Sequence, residues 1–118
     1  MATVLIVDDS PVARHVLGAR LRAEGLRVRE AGSAASAEGI GSIESLLCAV
    51  LDVELGDGDG IALAATLRAR RATLPIAYFT GADGALRGRA AAHGPVFSKD
   101  DLGALVAWVV ALQPPPTK

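Results

Sequence analysis

The stretch Leu46-Leu47-Cys48-Ala49-Val50-Leu51 places six apolar residues in a row and runs into one carboxylate, Asp52. A segment of turn residues follows, Glu54-Leu55-Gly56-Asp57-Gly58-Asp59-Gly60. An unbroken apolar run of this length, closed by turn signals, reads as a strand covered on both faces inside a parallel sheet. This constrains the fold strongly, because such a sheet needs helices on both sides and therefore a βα alternation along the chain. A charge at the end of the strand has no packing role. In open α/β sheets, ligands bind at the carboxyl ends of the strands, so Asp52 is the first candidate for chemistry.

The rest of the chain supplies the alternation. Thr3-Val4-Leu5-Ile6-Val7 is a first strand and ends in Asp8-Asp9. Ser10-Pro11 is a helix start, a capping residue followed by proline at the first helical position. Ala13, Leu17 and Leu21 then form a buried stripe of a helix running to about Glu24, with Gly25 as its stop. Val12 and Val16 lie beside that stripe and either widen the core face or offer an apolar contact to a partner. Leu26 to Ala31 alternates as an edge strand does, and Ser33 to Ile40 reads as a short Ala-rich helix. After the opening strand, Ile61, Leu63, Ala64 and Leu67 mark a helix ending near Arg71. Arg68, Arg70 and Arg71 read as its solvated end, where cations suit the helix dipole. Leu74 to Thr80 is a fourth strand, Asp83 to His93 a glycine-weakened helix, and Gly94 to Lys99 a short fifth strand. The last helix opens at Asp100-Asp101, carries Leu102, Leu105, Val106, Trp108, Val109 and Leu112, and stops at Pro114-Pro115-Pro116.

This order predicts one α/β domain over residues 1–113, with a parallel sheet between two helical layers and right-handed crossovers. Residues 114–118 are then a Pro-rich tail or the start of a linker. At 118 residues the chain is long enough for a core without staples. A net charge of −1 with mixed signs gives no footprint for direct nucleic-acid binding. A single cysteine, Cys48, excludes an internal disulfide and fits a reducing cytoplasm. No apolar run approaches a membrane span, and no Cys/His metal cluster is present.

Four of the five strands end in polar groups: Asp8-Asp9, Asp52, Thr80 and Lys99. In a parallel sheet these ends share one edge, so the side chains can converge. Carboxylates gathered there repel one another. A divalent cation relieves this, and Mg²⁺, which takes oxygen ligands and pairs carboxylates with phosphate, suits the set best. Lys99 is a point charge for a phosphoryl oxygen or the Asp52 carboxylate, and Thr80 offers a hydroxyl. An ionised nucleophile, a metal seat, a cationic clamp and a hydroxyl are the parts for phosphoryl transfer onto an aspartate. A flavodoxin-like cofactor binder is disfavoured, because Ser10-Pro11-Val12 stands where a glycine-rich phosphate loop would lie.

The residues Val4-Leu5-Ile6-Val7-Asp8-Asp9-Ser10, Val50-Leu51-Asp52 with Asp59-Gly60, Phe79-Thr80-Gly81 and Ser98-Lys99 make the chain resemble the receiver domain of bacterial two-component response regulators, of the CheY-like superfamily, over essentially its whole length. The resemblance implies a flavodoxin-like (βα)5 three-layer sandwich with strand order 2-1-3-4-5. It further implies that Asp52 is the phosphoacceptor, that Asp8, Asp9, Asp52 and the Glu54 backbone carbonyl hold Mg²⁺, and that Thr80 and Lys99 bind the phosphoryl group. It implies a histidine kinase or histidine phosphotransfer protein as donor, self-catalysed dephosphorylation, and an output domain or downstream protein. A monomer or a phosphorylation-dependent dimer is expected, with no membrane contact. Gly81 beside Thr80 should leave the site open to a donor.

The chain departs from the family pattern at several positions. Asp100 follows the lysine where proline with a cis bond is common, so a trans bond and a displaced Lys99 are expected. Val96 stands where a switch aromatic is usual, with Phe97 beside it. Gly56 replaces a common proline and should loosen its loop, and the segment from Thr80 to Lys99 is about a turn short. An alternative follows: a pseudo-receiver that keeps the fold as an interaction module, with an altered or absent switch. Starting at Met1, the chain is expected not to be the trailing receiver of a hybrid kinase. Val12, Val16 and the Lys99-Asp100-Asp101 turn are the expected sites of kinase specificity.

Overall fold

A computed structural model describes residues 2–82 and 84–114. Five parallel strands form the sheet: β1 (Thr3–Val7), β2 (Arg27–Ala31), β3 (Leu46–Leu51), β4 (Ile76–Thr80) and β5 (Val96–Ser98), in the order β2-β1-β3-β4-β5. The helices are α1 (Pro11–Ala23), α2 (Ala34–Glu38), α3 (Gly60–Arg70), α4 (Gly84–Ala91) and α5 (Leu102–Ala111). This is the flavodoxin-like three-layer arrangement. The expected Pro115 to Lys118 tail and the Asp83 helix start lie outside the described residues.

Alternation along the strands divides the core into two layers, as a period of two demands. Val4, Ile6, Cys48, Val50, Ala77 and Phe79 face one way, against Leu17 and Leu21 of α1 and Leu105 and Val109 of α5. Leu5, Val7, Ala49, Leu51, Ile76 and Tyr78 face the other, against Ala37 of α2, Leu63 and Leu67 of α3 and Ala90 of α4. Each large apolar side chain buried this way contributes roughly 1.5–3 kcal/mol. Cys48 is fully enclosed at the centre of β3, and burial pushes its thiol up to about 12.

The helix boundaries follow their caps. Ser10 receives the Ala13 N–H at 3.2 Å, and Asp59 and Asp101 cap α3 and α5 through the N–H groups of Ala62 (2.7 Å) and Ala104 (3.2 Å). The chain leaves α1 through Gly25 at φ +83°. α2 is shorter than the expected Ser33 to Ile40. Ser33 caps it, Gly39 ends it, and a 3-10 turn at Ile43–Ser45 leads into β3. α4 likewise stops at Ala91, short of His93.

The arginines at the end of α3 are not simply solvated. Arg70 donates to the carbonyls of Glu38 and Ile40, and Arg71 to those of Ile43 and Leu46. They tie the α2–β3 connection to α3, and the Glu38 carbonyl among them belongs to the last turn of α2.

Candidate functional site

The strand ends continue the sheet ladder by one rung, and that rung carries the site. Asp8 N–H donates to the Ala31 carbonyl (3.2 Å), Asp52 N–H to Val7 (2.9 Å) and Lys99 N–H to Thr80 (3.1 Å). Each side chain therefore projects from backbone fixed by its neighbouring strand. Asp8 is 3% exposed, Asp52 7% and Thr80 1%, whereas Asp9 faces solvent.

Carboxylate oxygens of Asp8, Asp9 and Asp52 all lie within 4.8 Å of one another. Two like charges at this spacing repel by about 3–4 kcal/mol at an effective dielectric of ~20. Lys99 offsets part of this: its Nζ is 2.8 Å from Asp8 Oδ2 and 2.8 Å from Asp52 Oδ2. Partial burial pulls the Lys99 ammonium down, but its hydrogen bonds to Asp52 and Asp8, and their charges, outweigh this and leave it raised. The other oxygens are positioned by backbone. Ser10 N–H donates to Asp8 Oδ1 (2.9 Å) and Glu54 N–H to Asp52 Oδ1 (3.3 Å).

A cleft of about 310 Å³ opens above Asp52, lined by Asp9, Glu54, Thr80, Gly81 and Lys99. The Thr80 hydroxyl accepts the Ala82 N–H at 3.0 Å, which leaves its own hydrogen to donate. A side chain at Gly81 would meet no atom within 4 Å, so the mouth is unobstructed there. Glu54 stands at the rim with its side chain exposed.

The expected departures resolve individually. The Lys99–Asp100 bond is trans, as no cis peptide occurs among the described residues, yet Lys99 still reaches both carboxylates. The Lys99 backbone N–H bonds to the Thr80 carbonyl, which holds the residue at the end of β5. The loop after Asp52 is not loose either. Glu54–Leu55 and Gly58–Asp59 pair as a small antiparallel ladder, and the Asp57 carboxylate accepts the N–H groups of Ala34 (2.9 Å) and Ala35 (3.0 Å). Those two backbone bonds, that to Ala34 first, hold the Asp57 carboxyl below its ordinary value. Phe97 lies on the α5 face, its ring 6.2 Å from that of Trp108. Val96 points to the opposite face, pairs in register with Tyr78 and packs into the same core cluster as that ring.

Sequence reading missed Asp57, Arg14 and the steric role of Gly60. Arg14 donates to the Asp8 carbonyl and pairs with Glu30 at 3.3 Å, bracing the end of β1 against β2. A Cβ at Gly60 would stand 2.1 Å from the Asp52 carbonyl oxygen, so α3 can start against the Asp52 backbone only with glycine. Val12 and Val16 do not widen the core: they are 72% and 47% exposed and lie on α1, the helix that follows Asp8-Asp9.

The molecule is a doubly wound parallel sheet with an acidic, lysine-clamped cleft at its strand ends. The family model for the response regulator receiver domain matches residues 4–95, and the chain belongs to that family. It is 36% identical over 81 residues to the probable transcriptional regulatory protein TcrX of Mycobacterium tuberculosis. That match covers 69% of this chain but 35% of the relative, so the chain spans about a third of that protein's length. Among solved structures, the non-phosphorylated HemR receiver domain of Leptospira biflexa superposes with a TM-score of 0.82 at 26% identity, covering 99% and 100% of the two chains. A two-component response regulator from Clostridium difficile gives 0.81 at 28% identity, with 95% of each chain covered.

Proposed function

We propose that this receiver domain accepts phosphate onto Asp52 from a histidine kinase or histidine phosphotransfer protein, in a Mg²⁺-dependent reaction, and thereby changes its contacts with an output partner. The observation that carries this reading is the Lys99 ammonium shared at 2.8 Å between Asp8 and Asp52, with the cleft open above Asp52. Asp52 needs no general base, because its carboxylate is already the nucleophile. One of its oxygens forms the new bond to phosphorus as the P–N bond of the donor phosphohistidine breaks, and the imidazole leaves with that electron pair. Lys99 and the Thr80 hydroxyl bind the transferred oxygens. Water later attacks the phosphorus, the P–O bond to Asp52 breaks, and inorganic phosphate leaves as the carboxylate is restored.

The donor set fits Mg²⁺: three carboxylates converge, one of them solvent-facing, and all are hard oxygen ligands. Asp8, Asp9, Asp52 and the Glu54 carbonyl would hold the ion, which supplies charge neutralisation for the phosphoryl oxygens. The exposed Val12 and Val16 give a docking kinase an apolar contact near the cleft. No described helix is long and apolar enough to cross a membrane. We place the domain in the cytoplasm, acting as a monomer or a phosphorylation-dependent dimer, with residues 114–118 as a tail or linker. An output through transcription, by a segment other than this domain, is the natural counterpart of the relative's function.

Incubation with acetyl phosphate and Mg²⁺ should add about 80 Da, one phosphoryl group, and Asp52→Asn should abolish the adduct. An adduct that persists in Asp52→Asn would overturn the acceptor assignment. Mg²⁺ should raise the melting temperature, by an amount set by its affinity for the folded state alone, and Asp9→Ala should remove that response. The second reading, a domain phosphorylated without switching, is favoured by Phe97 lying on the face opposite Val96. A Trp108 emission change and amide shifts from Ala82 to Asp101 on phosphorylation would exclude it.

A further inference from the structure

A second cleft, of about 350 Å³, lies between α3 and α4 on the face of β4 that carries Tyr78. Its size is at the lower end of the ~300–1,000 Å³ of small-ligand sites. One wall is apolar, from Ile61, Ala62, Ala64 and Ala65, and the remainder is Asp59, Arg68, Arg89, His93 and Tyr78.

Tyr78 is 0% exposed, and its hydroxyl makes no hydrogen bond among the described residues. A buried hydroxyl without a partner costs about 1–3 kcal/mol, a cost that phenylalanine at this position would avoid. Burial raises the Tyr78 hydroxyl above its ordinary value, with the charge of Arg68 pulling it down, that of Asp59 pushing it up, and the approach of the Arg68 guanidinium, short of a well-formed hydrogen bond, also pulling it down. Tyr78, Arg68 and Asp59 line the same cleft, and the Tyr78 ring edge and an Arg68 nitrogen come together beside Gly94, within 3.6 and 3.9 Å of where a Cβ there would stand. The two arginines are not fully committed elsewhere. Arg68 gives one nitrogen to the His93 carbonyl at 3.1 Å, while Arg89 and His93 are exposed at the mouth. The single anionic group, Asp59, is engaged with the Ala62 N–H at 2.7 Å at the start of α3.

We propose that the α3–α4 cleft binds a small organic anion, its charge held by Arg68 and Arg89, its body against Ile61, Ala64 and Ala65, and an acceptor atom on the Tyr78 hydroxyl. The site is separate from Asp52 and does not depend on phosphorylation. It stands on β4 two residues before Thr80, so an occupant also touches the strand that carries the hydroxyl of the first cleft.

Phenyl phosphate, a carrier of both the anionic and the apolar feature, is a suitable probe in EDTA-containing buffer. A ¹H–¹⁵N titration should give saturable shifts at Ala64, Arg68, Ala90 and His93. Arg89→Gln should weaken the affinity about tenfold, the effect of one charge-assisted contact. Tyr78→Phe should melt higher than the parent in plain buffer and gain less from the probe. Phenol, without the charge, and inorganic phosphate, without the ring, should each bind at least tenfold more weakly. Shifts confined to Asp52, Thr80 and Lys99, equal binding of phenol or of inorganic phosphate, or an affinity indifferent to Arg89→Gln would each overturn the proposal.

Discussion

Lys99 is where the chemistry and the stability of this domain meet. Its two contacts at 2.8 Å make it the counter-ion of Asp8 and Asp52. Because these contacts leave its value raised in the fold, the stability they contribute is complete below pH 10.5, the ordinary value, and is lost as pH climbs through the raised one. In buffer free of divalent ions, Lys99→Met should therefore lower stability by about 1–3 kcal/mol, since it strands two buried carboxylates. Urea denaturation checks this: the gap to the parent should hold through neutral pH and close only above pH 10.5. An unchanged urea midpoint would show that the carboxylates do not need the ammonium.

At the scale of elements, the loop between β3 and α3 holds Asp52 in place from both ends. Gly60→Ala should be severe, about 3 kcal/mol or more, because the atoms its Cβ would meet belong to the Asp52 and Val53 backbone, which cannot swing away. Chemical denaturation and acetyl-phosphate labelling would both register the loss. Asp57→Ala should speed amide exchange at Ala34 and Ala35 and lower the melting temperature. Because the Asp57 carboxyl is depressed, its contribution is present above pH 3.8 and fades as pH falls through the depressed value. Exchange rates unchanged in that variant would rule the clamp out. These features also mark where reading the sequence stopped. The strands were legible because a doubly buried strand is apolar throughout, and α1 because Ser10-Pro11 and Gly25 punctuate it. The small ladder after Asp52 was not legible, because two residues a side have no periodicity. Neither was the partner of Asp57, 22 and 23 positions away, nor the carbonyls that Arg70 and Arg71 reach. The convergence of Asp8, Asp52, Thr80 and Lys99 was legible because a parallel sheet brings all its strand ends to one edge. Which aspartate of the first pair is buried was not.

For the molecule as a whole, the two helical layers divide into surfaces with different demands. Val12 and Val16 lie outside the core, so Val12→Ser with Val16→Ser should change stability by no more than about 0.5 kcal/mol per site. Phosphotransfer from a histidine kinase should slow while labelling by acetyl phosphate stays at parent rate. Slowing of both reactions would place the fault in the cleft and not in docking. On the same helical layer, the tilted pair of Phe97 and Trp108 joins β5 to α5, and Trp108 is the one indole of the chain, an optical reporter on that side.

Cys48 has a consequence of a different kind. It is the single thiol of the chain, it sits with no exposed surface at the middle of the central strand, and burial holds it at about 12. No fraying end or local loop movement uncovers that position, so a thiol reagent reaches it only when the sheet itself comes apart. The rate of alkylation in native buffer therefore serves as a clock for global opening, read by mass on an unmodified chain. The same clock can be timed with Mg²⁺ present, after acetyl phosphate treatment, or with phenyl phosphate in the second cleft, comparing how each occupant lengthens the life of the closed molecule.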